Sequence, residues 1–239
     1  MCYNLFMRNF INYAHRGASE YCPENTLLSF YTGLHMGANG IETDVQLTSD
    51  GVAVLFHDNA LTRVTGESGS VKDYTLRQLK TFWVKKNNLK DRIITLDEFF
   101  EKFKDFDLTF AIELKGDGTA LPTAELIKKH SVQEKVVATS FKYNELLDIH
   151  KAIPTLKLGY LNLGEVTDEL LQKMKSDGIN EICPEAPFIT AENCKKWHAM
   201  GFNVRAWGVK DTSVMKELLS ADVDGMTVNF PDKLTQALL

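Results

Sequence analysis

Short apolar runs alternate with longer amphipathic stretches along most of the chain. The runs with strand character are 10–14 (FINYA), 40–47 (GIETDVQL), 108–114 (LTFAIEL), 135–141 (KVVATSF), 156–161 (LKLGYL), 179–184 (INEICP), 202–207 (FNVRAW) and 224–229 (DGMTVN). Between them, stretches such as 26–38 (TLLSFYTGLHMGA), 165–178 (EVTDELLQKMKSDG) and 212–223 (TSVMKELLSADV) carry apolar residues at helical spacing. Thr95 to Glu98 (TLDE) reads as a capping box ahead of the helical EFFEKF. Strand–helix alternation predicts parallel strands joined by crossover helices. Eight such units predict a single α/β domain over 1–239, a closed (β/α)₈ TIM barrel, with a doubly wound open sheet as the structural rival.

One stretch breaks the rhythm. Residues 59–95, roughly, hold TGESGSVKDYTLRQLKTFWVKKNNLKDR, which is polar and rich in turn residues. It reads as an insertion after the second strand, too poor in apolar residues to build its own core. Phe82 and Trp83, with lysines nearby, either touch a membrane surface or pin this insertion to the barrel.

Charge and cysteine usage narrow the function classes. The 239 residues carry a net charge of -5, so the basic footprint of a nucleic-acid binder is absent. If the ligand is an anion, the cations that hold it must be local. Cys2, Cys22, Cys183 and Cys194 form no CxxC pair, which predicts reduced thiols in a cytoplasmic protein. The opening MCYNLFMRNFINYAHRG has no continuous apolar core and no small-residue cleavage site. No run reaches about 18 apolar residues, so neither a secretory signal nor stable membrane insertion is expected.

In a barrel of this type the chemistry lies at the C-terminal ends of the strands. His15, Arg16 and Gly17 follow the first strand, Glu42 and Asp44 lie on the second, and Glu113 and Lys115 end the third. Side chains at i and i+2 share a face. Glu42 and Asp44 therefore face the mouth together, while Ile41 and Val45 face the covering helices. Asp50-Gly51 signals a two-residue hairpin. That register pairs Leu47 with Val54 and sets Asp44 opposite His57, which returns His57 to the carboxylates. Each piece has a plain alternative: a surface His-Arg pair, a solvated ExD, a barrel salt bridge between Glu113 and Lys115. Convergence on one rim favours a site. Trp207, ending the seventh strand, either lines it or packs.

The ordered motifs HRG, PENT, IETDVQLTSDG, a strand ending in HD, LTRVTGESGSVKDYTL, IELK, VRAWGVKD and DGMTVNFPDKL span nearly the whole chain. In these the chain resembles the glycerophosphodiester phosphodiesterases. The resemblance implies the same barrel, with a small insertion after the second strand. It implies His15 and His57 as an acid–base pair, Glu42, Asp44 and Glu113 as ligands of one divalent cation, and Arg16 and Lys115 as phosphate binders. Two departures stand out. Asn229 stands where the family usually has Asp, and Gly208 where it usually has threonine. Both are expected away from the catalytic set, bearing on substrate preference rather than on the reaction.

The chemistry agrees with that assignment. A phosphodiester must have its charge neutralised, a nucleophile activated and a leaving alkoxide protonated. Three carboxylates without sulfur or imidazole ligands suit Mg²⁺ or Ca²⁺. Arg16 offers a planar fork and Lys115 a point charge. The expected reaction is hydrolysis of a glycerophosphodiester to glycerol 3-phosphate and an alcohol, through a cyclic phosphate. The rivals are a lysophospholipase D-type phosphodiesterase on the same barrel and a non-catalytic phosphate-binding barrel. A carboxylate–lysine aldolase or isomerase needs no pair of histidines.

Overall fold

The structure, a computed structural model, describes residues 10–239. The N-terminal stretch through residue 9, with Cys2, lies outside the described residues. Eleven strands follow in chain order: β1 Ile11–His15, β2 Gly40–Leu47, β3 Ala53–Leu55, β4 Trp83–Lys86, β5 Leu89–Arg92, β6 Thr109–Leu114, β7 Val136–Ser140, β8 Lys157–Asn162, β9 Glu181–Pro184, β10 Asn203–Ala206 and β11 Gly225–Val228. Eight of these, β1, β2 and β6 to β11, pair in parallel, and β1 pairs with both β2 and β11, so the sheet closes on itself. The closed barrel, rather than the open sheet, is the architecture.

The helices α1 Leu27–His35, α4 Leu96–Phe103, α5 Ala120–His130, α6 Tyr143–Ala152, α7 Asp168–Ser176, α8 Ala191–Ala199, α9 Thr212–Ser220 and α10 Pro231–Leu238 ring the barrel. Two short helices, α2 Thr62–Thr65 and α3 Leu76–Leu79, belong to the insertion. The caps are local and readable. Thr26 caps α1 through the Ser29 amide, and Thr95 and Glu98 cap α4 reciprocally, at 2.8 and 3.0 Å. Outward-facing Ile41 and Val45 of β2 are fully buried under the helices, as their alternation with Glu42 and Asp44 requires. The densest part of this layer is aromatic. Phe99 meets Phe30 edge-on at 5.1 Å and Phe110 at 5.3 Å.

Two expectations need correction. The insertion does have an apolar cluster of its own: Leu61, Val64, Val71, Leu79, Val84 and Ile93 pack on Val54 and Phe56, with Phe82 against them. The strand β3 supplies the missing apolar surface, which the composition of 59–95 alone could not show. Trp83 holds the Arg92 guanidinium 3.3 Å from its ring centroid, so this pair pins the β4–β5 hairpin. The β2–β3 hairpin is also one residue out of the expected register. Its loop has three residues, Ser49 to Gly51, closed by the Thr48 amide on the Val52 carbonyl at 3.0 Å. Gly51 sits at φ 78, and Asp50 is drawn away by the Thr48 hydroxyl and the Leu76 amide. Leu47 therefore pairs with Ala53 and Val45 with Leu55. Opposite Asp44 stands Phe56, whose amide donates to the Asp44 carbonyl, not His57.

The aromatic layer yields a direct expectation. Phe99→Ala should cost about 3–5 kcal/mol of folding free energy, the range for a fully buried phenylalanine. Urea denaturation monitored by circular dichroism measures it, and a cost below about 1 kcal/mol would show that this layer relaxes without loss.

Candidate active site

Barrel register, rather than loop conformation, assembles the carboxylates. His15 of β1 lies beside Glu42 of β2, and Asp44 of β2 lies beside Glu113 of β6. One oxygen from each of Glu42, Asp44 and Glu113 lies within 4.8 Å of the others, and all three residues are buried. A cavity of about 270 Å³ opens above them, lined by His15, Arg16, Glu42, His57 and Glu113 on one side and by Trp207, Gly208, Val209 and Leu161 on the other. A larger cavity, about 900 Å³, opens at the N-terminal end of the strands, around Ile11, Lys157 and Asn203. None of the predicted residues lines it.

His57 reaches the mouth by a different route from the hairpin count. The strand ends at Leu55, and the Gln46 side chain contacts the carbonyls of Phe56, His57 and Asp58 at 2.9, 3.1 and 2.9 Å. That turn swings the imidazole inward. Its Nδ1 meets Asp58 Oδ1 at 2.7 Å. His15 is supported in the same way, with Nδ1 at 2.5 Å from Asn229 Oδ1, which also accepts from the Ser19 hydroxyl. An amide oxygen only accepts, so His15 Nδ1 carries the proton and Nε2 presents its lone pair on the side of Glu42, 3.8 Å away. Burial and the nearby Arg16 make this imidazole less basic than usual. Asn229 therefore touches the catalytic candidates directly, and Gly208 lines their cavity. The expectation that both lie apart from them is incorrect. The closure register held the signal: Ala14 pairs with Val228, so the next residues, His15 and Asn229, are neighbours.

Arg16 has φ 54, a left-handed backbone uncommon for arginine and of the kind found at functional clamps, and Asn25 has φ 56, which asparagine adopts more readily. Gly17 follows at φ 80, and a Cβ there would stand 2.4 Å from the Ser29 carbonyl carbon. The glycine is thus required by the close approach of α1 and by its left-handed backbone. Arg16 Nη1 bonds Glu24 at 3.1 Å, and its Nε faces Asp44 at 3.3 Å. Asn25 donates to Asp44 at 2.9 Å. Lys115 leans on Glu113 at 2.9 Å and on Asp44 at 3.6 Å, beside the cavity rather than in its lining. Trp207 does line the cavity. Its Nε1 donates to the Cys183 carbonyl at 2.9 Å, and its ring meets Phe141 edge-on at 5.3 Å.

The acidic group has the donor chemistry that could hold a cation. Burial and the charges of Asp44 and Glu113 push the Glu42 carboxyl up, and burial with Asp44 pushes Glu113 up. Burial would also raise Asp44, but Arg16, His57 and Lys115 outweigh it and hold Asp44 below the usual range. Asp44 Oδ1 is buried with no hydrogen-bond partner among the described residues. An all-oxygen triad with one orphaned oxygen fits a hard divalent cation.

The sign of the pH effect follows. Glu42 and Glu113 titrate near 8 and 7 in the cation-free fold, against about 4.5 when unfolded. Between those values the folded state binds more protons, so stability falls as pH rises. His15, lowered by burial, works the other way below about pH 6.5, so the melting temperature of chelated protein should decline most clearly from about pH 6.5 to about pH 8. A divalent cation should remove most of that decline, and Glu42→Gln should flatten it. A melting temperature that climbs with pH in the chelated protein would contradict this account.

Comparison with known proteins agrees with the geometry. Residues 15–233 match the Glycerophosphoryl diester phosphodiesterase family. A glycerophosphodiester phosphodiesterase of Caldanaerobacter subterraneus subsp. tengcongensis is 34% identical over 236 residues, covering 92% of this chain and 94% of that protein. One from Bacillus altitudinis is 32% identical over 235 residues, covering 92% and 95%. A phosphodiesterase of Oleispira antarctica, solved in complex with the product sn-glycerol-3-phosphate, superposes with a TM-score of 0.87 at 26% identity, covering 95% of this chain and 96% of that one. The chain belongs to the glycerophosphoryl diester phosphodiesterase family.

Proposed function

We propose that this enzyme hydrolyses small glycerophosphodiesters to glycerol 3-phosphate and an alcohol at the C-terminal mouth of the barrel. His15 and His57 move the protons, Glu42, Asp44 and Glu113 hold one divalent cation, Mg²⁺ or Ca²⁺, and Arg16 and Lys115 receive the phosphate. The observation that carries this reading is the pairing of the buried acidic triad with two histidines, each supported at Nδ1 and lining one cavity. The glycerol 3-phosphate bound in the Oleispira antarctica neighbour supports a small phosphate-bearing substrate. Among the described residues no helix is long and apolar enough to cross a membrane. Cys22, Cys183 and Cys194 are free thiols, which supports placing the enzyme in the cytoplasm.

Each group then has a stated task. The cation, when bound, supplies Lewis acidity and neutralises phosphoryl charge. Arg16 is oriented by Glu24 and Asp44 and presents its guanidinium to the phosphate oxygens. One histidine accepts the proton of the substrate's glycerol 2-hydroxyl, whose oxygen attacks phosphorus. The other, present as the imidazolium, gives its Nε2 proton to the alcohol oxygen as the bond from that oxygen to phosphorus breaks. A cyclic phosphate results, and water opens it with the proton transfers reversed. The 2-hydroxyl is favoured as nucleophile because it is already in reach, which offsets much of the entropic cost of capturing water. Trp207 forms part of the wall facing the departing alcohol.

Two measurements test this. Release of glycerol 3-phosphate from glycerophosphocholine should vanish on chelation and return with added divalent cation. His15→Ala and His57→Ala should each lower kcat by roughly 10²–10⁴-fold with little change in melting temperature. Near-normal turnover in either variant removes that histidine from the reaction. The nucleophile is tested separately with a diester of propane-1,3-diol, which lacks the 2-hydroxyl. It should bind and barely react. Turnover equal to that of glycerophosphocholine would assign the attack to water instead.

A further inference from the structure

Arg63 lies in α2, at the start of the insertion, between the buried Leu61 and Val64. Its guanidinium is half exposed and outside the cavity lining, yet it holds two carboxylates at once. Nη1 and Nη2 form a fork on Glu24 at 2.9 and 2.6 Å, and Nε meets Asp58 at 2.5 Å. Each carboxylate has a second partner inside the site. Glu24 bonds Arg16 at 3.1 Å, and Asp58 bonds the His57 imidazole at 2.7 Å. One side chain of the insertion therefore stands one carboxylate away from both the phosphate-binding arginine and one of the two histidines.

We propose that Arg63 is a positioning residue: it fixes Glu24 and Asp58 so that Arg16 keeps a guanidinium edge free for phosphate and His57 keeps its proton on Nδ1. The inference rests on the assignment of Arg16 and His57 made above. Without Arg63, Glu24 is free to close over Arg16 and compete with the phosphate for the same donors. Asp58 is free to turn away, and the imidazole loses the acceptor that selects its tautomer. A lysine cannot substitute, because a single ammonium lacks the rigid fork that spans two carboxylates. Because the guanidinium end of these pairs is half exposed, losing it should cost folding only modestly, and the effect is read at the site through kcat/KM and the His57 ring.

The test uses Arg63→Ala and Arg63→Lys in the full chain, with glycerophosphocholine as substrate. Both should lower kcat/KM by about 10–100-fold, the range seen when outer partners of site residues are removed, at a nearly unchanged melting temperature. Free guanidinium should restore activity to Arg63→Ala, and ammonium should not. In a Glu24→Gln/Asp58→Asn background, Arg63→Ala should add little further loss. Nitrogen-15 NMR of the His57 ring gives a readout that needs no turnover. At alkaline pH, where the ring is neutral, the wild type should show the Nδ1-protonated form, and in Arg63→Ala the two ring-nitrogen shifts should move toward each other. Wild-type kcat/KM in Arg63→Ala, or an unchanged His57 spectrum, overturns the proposal. So does an undiminished loss in the double-variant background. A wild type that hydrolyses no glycerophosphodiester refutes the assigned reaction instead, and the His57 spectrum still decides the role of Arg63.

Discussion

Three carboxylates held within 4.8 Å of one another in a buried setting are the constraint on which this site turns. Like charges at that distance in a low-dielectric mouth cannot all remain ionised without nearby positive charge. In the cation-free fold the strain is divided unequally: Asp44 is kept charged by Arg16 and Lys115, while Glu42 and Glu113 are driven toward their neutral forms. Folding alone would avoid such a cluster, since apolar residues at these positions would fill the barrel end at lower cost. Its presence, with one Asp44 oxygen that accepts no hydrogen bond and faces Lys115 at 3.6 Å, is intelligible as a site prepared for a cation.

The barrel is what makes that arrangement rigid. Parallel pairing fixes His15 beside Glu42 and Asp44 beside Glu113, so relative positions are set by backbone hydrogen bonds rather than by flexible loops. Beneath the site the interior is also polar but self-contained. Arg205 bonds Glu181 at 2.7 Å and Thr227 at 3.0 Å. It also lies over the Tyr13 ring at 5.0 Å. The pair is matched internally, but Arg205 also borders the cavity and its charge favours the ionised form of Glu42. The basicity of His15 is set mainly by burial and by the charges of Arg16 and Asp44, while Asn229 orients its ring as Asp58 orients that of His57.

Much of this could be read from the chain, because period-two and helical patterns report burial directly. The eight barrel strands, the alternation of Ile41 and Val45 with Glu42 and Asp44, and the Thr95–Glu98 cap are local facts that sequence carries. The failures came where a distant partner decides. Asp50-Gly51 suggests a two-residue loop, but the Leu76 amide captures Asp50 and Gly51 becomes the third loop residue. His57 nonetheless lands in the mouth, because it lies beyond the paired strand and Gln46 steers the turn. The apolar cluster of the insertion is completed by Val54 and Phe56 from outside it. Asn229 was visible as a departure, but its contact with His15 depends on closure between the first and last strands. That closure is a long-range fact which motif spacing does not contain.

An acidic chain with a net charge of -5 that acts on an anion must concentrate its cations locally. The network at the mouth does this by alternation. Asp44 faces Arg16, Arg16 bonds Glu24, Glu24 bonds Arg63, Arg63 bonds Asp58, and Asp58 bonds His57. Glu24 and Asp58 each lie between two basic groups, and Asp44 has Arg16 and Lys115, so the negative charge nearest the phosphodiester is balanced locally. The ends of the series are the aspartate of the acidic triad and a histidine of the cavity. Its middle is an arginine that the barrel does not supply. The excursion between β3 and α4 therefore completes the charge pattern that the strand ends begin, and its apolar cluster holds Arg63 in place between Leu61 and Val64.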